Sequence, residues 1–133
     1  MVILDTSAII SVLKKEIGYE KVRHQLALAA SVRIGAPTLV ETTMVAISRI
    51  GVHGKLLLRQ FVSEQGVAVI EFTESHADRA RQAFERFGKG RHPAGLNMGD
   101  CFSYATASIA REPLLCVGND FAQTDLELVP LGE

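Results

Sequence analysis

Val2-Ile3-Leu4-Asp5-Thr6-Ser7-Ala8 opens the chain, and its reading decides the fold. Three apolar residues run without alternation, as a strand buried on both faces does, and stop at an acid. Thr6 and Ser7 offer hydroxyl caps, and Ala8-Ile9-Ile10-Ser11-Val12-Leu13 reads as the helix that follows. A strand that ends in a carboxylate and passes directly into a helix is the opening unit of a parallel α/β sheet. Ligands of such sheets bind at the carboxyl edge of the strands, which is where Asp5 is placed.

The alternation continues outward from that stretch. A helix is expected over 19–30, and Val32-Arg33-Ile34 reads as a short strand before Gly35. Pro37 suits a first helical turn, and Leu39, Thr43, Ile47 and Ile50 then recur at helical spacing until Gly51. A further helix is expected over about 53–64 and a third strand over 67–72. Ala77, Ala80, Phe84 and Phe87 form the inner face of the next helix, which Gly88 and Gly90 end. The stretch 89–97, KGRHPAGLN, is a loop. Asn97 can cap a helix carrying Asp100, Cys101, Tyr104, Ala105 and Ile109, and Pro113 stops it. Leu114-Leu115-Cys116-Val117 is a strand, Gly118-Asn119-Asp120 turns out of it, and 126–131 is a final short strand or tail. These elements define an α/β fold: a three-layer α/β/α sandwich with a central, mainly parallel sheet, in one domain over 1–133.

Composition narrows the class. The chain has 133 residues, 47% apolar and 22% charged, with a formal net charge of −1. Apolar segments recur from end to end, which excludes a disordered region. Basic residues are concentrated locally: Arg79, Arg81, Arg86, Lys89 and Arg91 face only Glu85 between 79 and 92. No segment approaches the ~20 apolar residues of a membrane span, and Asp5 interrupts the only apolar run at the N-terminus. Cys101 and Cys116 form no C-x-x-C motif and fall in apolar elements, so they read as buried packing in a reducing, cytoplasmic setting.

Four acids carry the functional reading. Asp5 and Asp120 each follow an apolar strand, and Glu41 and Asp100 each lie near a helix start. Taken singly, each has a plain explanation as a cap, a dipole partner or a turn residue. Taken together, all four belong at the carboxyl edge of one sheet, where their mutual repulsion calls for a divalent cation. Hard oxygen ligands select Mg²⁺ or Mn²⁺. Asp5 and Asp100 are expected as the direct ligands, with Glu41 and Asp120 acting through water or on a second ion. Thr6 and Ser7 are expected to orient Asp5. Such a site cleaves phosphodiesters by a water made acidic by the cation. No Ser–His–Asp set or activated cysteine is suggested by the spacing.

At these residues the chain resembles a known family. Asp5-Thr6-Ser7-Ala8 after an opening strand looks like the start of a PIN domain, and Glu41 after Pro37-Thr38 matches its second acid. Gly95-Leu96-Asn97-Met98-Gly99-Asp100-Cys101 resembles the segment of the third acid, and Gly118-Asn119-Asp120-Phe121 that of the fourth. Asp125 follows five residues after Asp120, and the choice between them stays open. The resemblance spans 2–129, and the length is similar to that of VapC-type toxins. It implies an endoribonuclease acting on structured RNA such as tRNA, leaving 5′-phosphate and 3′-hydroxyl ends. It also implies neutralisation by a small antitoxin and a homodimer.

Lys89, Arg91 and His92 are candidates for holding RNA backbone, because their loop leads into the Asp100 helix. Three other readings compete. A phosphoacceptor receiver domain would need an acidic pair after the first strand and a late lysine. A haloacid-dehalogenase-type phosphatase would need an Asp at position 7, which is Ser. A catalytically silent binding module, using apolar residues between Leu39 and Val62 to grip a partner, is compatible with the pattern.

Overall fold

The computed structural model describes residues 1–132; Glu133, the last residue of the expected 1–133 unit, lies outside them. Its elements in chain order are β1 (Val2–Leu4), α1 (Thr6–Leu13), α2 (Tyr19–Leu28), β2 (Val32–Gly35), α3 (Ala36–Ile50), α4 (Val52–Gln65), β3 (Ala68–Ile70), α5 (Glu74–Phe87), α6 (Met98–Ala110) and β4 (Leu114–Leu115). The four strands pair in parallel in the order β3-β2-β1-β4. Parallel neighbours require crossovers, and the helices supply them.

Alternation along the strands builds the three layers. Ile3 and Leu114 point to one face, where they meet Ala80, Ala83 and Phe87 of α5 and Tyr104 and Ala105 of α6. Val2, Leu4, Ile34 and Leu115 point to the other, against Ile9 of α1, Val22 and Leu26 of α2, and Leu58 and Phe61 of α4. Helix α3 lies between the two groups, touching both α1 and α6. Close approaches depend on missing side chains. A Cβ on Gly54 would run into the Ala46 carbonyl, so glycine lets α4 lie against α3, and a Cβ on Gly35 would press into Thr106 of α6.

The structure reproduces the expected order of elements and shortens the third and fourth strands. The third strand covers Ala68–Ile70 rather than 67–72, and it is an edge strand whose Ala68 and Val69 are exposed. The tail expected over 126–131 makes a single parallel bridge, Leu114 with Leu128, and the Val129 amide donates to the Leu114 carbonyl at 2.9 Å. Phe84, assigned to the core by its spacing, is instead 41% exposed. It sits at an open apolar hollow between α5 and α6 with Phe72, Met98 and Phe102. No described helix is long and apolar enough to cross a membrane.

Candidate active site

Asp5 ends β1 and caps α1. Its backbone amide donates to the Leu115 carbonyl of β4 at 3.0 Å, which holds the carboxylate at the C-terminal edge of β1 and β4. The side chain is 5% exposed and fully engaged. Oδ2 accepts from the Ser7 amide at 3.0 Å and from Ser7 Oγ at 2.6 Å, and Oδ1 accepts from Ser103 Oγ at 2.6 Å. Ser7 Oγ also accepts from the Val117 amide at 2.9 Å, tying the ends of β1 and β4 together through one hydroxyl.

Glu41 comes from the second turn of α3. Thr6 Oγ1 donates to its Oε1 at 2.9 Å and stands 2.8 Å from Thr42 Oγ1, whose own hydroxyl donates to the Thr38 carbonyl. Thr6 therefore supports Glu41, whereas Ser7 supports Asp5. The apolar neighbours Val40 and Met44 do not bury Glu41, because they are themselves 54% and 65% exposed. Gly99 does that work: a methyl group there would overlap the Glu41 carboxylate. The α6 N-terminus thus closes directly over the acid.

Asp100 lies in the first turn of α6 in a reciprocal cap. Asn97 Oδ1 accepts from the Asp100 amide at 2.9 Å, and Asp100 Oδ2 accepts from the Asn97 amide at 3.1 Å. Asp120 is exposed in the turn after β4. The Asp5, Glu41, Asp100 and Asp120 side chains all line one cleft of about 310 Å³, with Thr6, Ser7, Glu16, Val45, Arg49 and Phe121 among the other walls.

Electrostatics mark the cleft as unfavourably acidic. Burial raises the Asp100 pKa to about 6; the Asn97 amide pulls it down, and Asp5, Asp120 and Glu41 push it up. Glu41 is raised too, by burial first, with the Thr6 hydrogen bond opposing and Asp5 adding to the rise. Both shifts come first from burial, and the neighbouring carboxylates add to them. The donor set is all hard oxygen and fits Mg²⁺ or Mn²⁺. Among the described residues no three Asp, Glu, His or Cys side chains are grouped tightly enough to hold an ion unaided. Burial and the nearby acids push the Cys116 thiol up to about 12, and burial followed by Asp100 raises Cys101 to about 11, so neither is a thiolate nucleophile at neutral pH.

The structure resolves the ambiguity of position between the two late aspartates. Asp125 faces away from the cleft, accepting from the Tyr104 hydroxyl at 2.5 Å and pairing with Arg86 at 3.5 Å. The loop residues are not brought to the acids. Lys89 and Arg91 are exposed outside the cleft, with the Arg91 guanidinium 5.8 Å over the Phe84 ring. His92 folds into its own loop: Nδ1 accepts from the Ala94 amide at 3.0 Å, and the ring meets Phe87 edge-on. Two residues of the site escape a reading by composition. Ser103 lies three positions after Asp100 on the same helix face. Arg49 lies eight after Glu41, with Val45 between, so the three share a face of α3.

The chain belongs to the PIN-domain family, whose profile matches residues 2–127. Its relatives are VapC-type members of that family. It is 45% identical over 126 residues to VapC ribonuclease Mb2004c of Mycobacterium bovis, covering 94% of this chain and 91% of that protein. Ribonuclease VapC36 of Mycobacterium tuberculosis matches with the same identity and coverage. Among solved structures, Mycobacterium tuberculosis VapC20, described as a sarcin-ricin loop cleaving toxin, superposes with a TM-score of 0.80 at 15% identity over 97% of this chain and 98% of that one. A toxin–antitoxin complex from Klebsiella pneumoniae gives 0.74 at 21% identity, covering 100% and 99%. At these identities the superpositions speak for the fold.

Proposed function

We propose that this protein is a Mg²⁺- or Mn²⁺-dependent endoribonuclease, the toxin of a toxin–antitoxin pair, cutting structured RNA such as tRNA in the cytoplasm. The observation that carries the reading is the convergence of Asp5, Glu41, Asp100 and Asp120 on one cleft, with Asp100 raised to about 6 by burial and its acidic neighbours. Relatives at 45% identity bear the name ribonuclease, and a structural neighbour is described as a sarcin-ricin loop cleaving toxin. Solved neighbours that are toxin–antitoxin complexes support a small antitoxin as partner. The two free, buried cysteines accord with a reducing compartment.

Asp5 and Asp100 would hold the ion, with Glu41 and Asp120 acting through water or on a second ion. Such an ion, when bound, supplies an acidified water and positive charge at the scissile phosphate. Ser7 and Ser103 fix the Asp5 carboxylate so that its oxygens do not rotate out of register. Thr6 orders Glu41, whose pKa burial raises above the ordinary carboxylate value, and the carboxylate is a candidate acceptor for a proton from water. Products with 5′-phosphate and 3′-hydroxyl ends follow. A homodimer and contacts from Lys89, Arg91 and His92 to RNA backbone beyond the cleft are parts of the same proposal.

The test incubates purified, partner-free protein with a pool of structured RNAs in Mg²⁺ or Mn²⁺, in EDTA, and beside Asp100→Asn. Discrete fragments with 5′ phosphates, absent in EDTA and in the variant, are expected. A folded, metal-binding protein that cuts none of several RNA classes would point to the silent binding module instead.

A further inference from the structure

Among the described residues, Arg49 is the only cation whose side chain lines the acidic cleft. It is exposed in the last turn of α3, and no ion pair among the described residues includes it. Glu16, which also lines the cleft, is paired with Lys14 at 3.9 Å. A cation at that helix end complements the dipole wherever its side chain points. Here it points into the cleft, and that direction has a use. A cleft walled by carboxylates repels a polyanion, so the strand needs a positive group at the point where it enters. Guanidinium is suited to the task because its planar fork matches two phosphate oxygens.

Position assigns the phosphate. Eight residues at the helical rise put the Arg49 backbone ~12 Å from that of Glu41 along α3. Two turns of helix offset Arg49 from Glu41 along the cleft, which places its guanidinium beside the acids, where it can serve a phosphate neighbouring the scissile one. We propose that Arg49 anchors a phosphate flanking the scissile bond, gripping its non-bridging oxygens and setting the register of the RNA over the acids. The inference rests on the ribonuclease reading above and deepens it. Anchoring a non-reacting phosphate is binding felt equally in the ground and transition states, so it enters KM and leaves kcat nearly unchanged.

The experiment compares wild type, Arg49→Ala and Arg49→Lys on one RNA fragment that wild type cleaves in Mn²⁺, over a series of salt concentrations. Arg49→Ala should raise KM about tenfold, as expected for one charged hydrogen-bonding group, with little change in kcat. It should also flatten the log–log salt dependence by ~0.7, the share of one phosphate contact on a single strand. Arg49→Lys should restore the slope and only part of KM, because it keeps the charge and loses the fork. All three should melt alike. A wild type that cleaves while Arg49→Ala matches it in KM and slope overturns the proposal and leaves the ribonuclease reading standing. A variant changed only in its Mn²⁺ half-saturation overturns it too, making Arg49 a counter-charge to the acids. A wild type that cuts no RNA removes the underlying reading, and this one with it.

Discussion

Ser103, at the middle of α6, donates a 2.6 Å hydrogen bond to Asp5 at the end of β1, across 98 residues of sequence. Ser103 is fully buried and Asp5 is nearly so, so the bond fixes helix to strand at the point where the acids gather. Ser103→Ala strands a buried carboxylate oxygen. We expect a loss of about 1–3 kcal/mol in urea denaturation of the metal-free protein. Cleavage should fall further than the stability loss explains, because Asp5 is then held by Ser7 alone.

The two late aspartates separate chemistry from architecture. Asp120→Asn should cost activity and leave the melting temperature unchanged or higher, since it removes a charge from the repelling group. Asp125→Asn weakens the bonds to Tyr104 and Arg86 and should lower stability by roughly 1 kcal/mol, with cleavage close to wild type. Thermal melts and initial rates on the same two preparations check both halves.

Gly99 is a steric requirement of the site, because a methyl there would overlap the Glu41 carboxylate. Gly99→Ala should remain folded, as alanine favours a helix, while Glu41 is displaced. Misplacement on that scale lowers turnover roughly 100-fold. Near-normal kcat in the variant would remove Glu41 from the chemistry.

The pH dependence of the metal-free protein has a defined sign. Asp100 keeps its proton up to about 6 in the folded chain, against 3.8 for an unperturbed group. Between those values the folded state binds more protons than the unfolded state, so its stability falls as pH rises through the window. Asp100→Asn should abolish that part of the slope and be more stable than wild type at pH 7 in a chelator, with the two converging near pH 4. Urea denaturation across pH measures the difference. Proton and cation compete for the same carboxylate, so Mn²⁺ half-saturation should tighten as pH rises toward 7.

Much of this was legible in the sequence, and the reasons are local. Val2-Ile3-Leu4-Asp5 reads as a strand because all three apolar residues are buried between helical layers. Asn97 reads as a cap because Asn three residues before an acid completes a reciprocal pair of hydrogen bonds. Periodicity misplaced Phe84 because it marks a helix face without showing whether anything covers it. Proximity was the other blind spot. Asp120 is the better match to the motif, but the sequence does not show which of Asp120 and Asp125 faces the site until Tyr104 and Arg86 claim Asp125. Arg49 carried no signal in the sequence, because nothing local distinguishes the side of α3 that lines the cleft from the side that meets water.

The central claim, that these four acids hold the cation that drives RNA cleavage, is tested most directly by titrating Mn²⁺ into chelator-treated protein. Bound Mn²⁺ is followed by electron paramagnetic resonance, and cleavage of a fixed RNA is followed in the same samples. The account predicts that the two curves superimpose, that both shift to higher Mn²⁺ as pH falls through about 6, and that both are lost in Asp100→Asn. Cleavage that persists in EDTA, or Mn²⁺ uptake by Asp100→Asn equal to that of wild type, would contradict it.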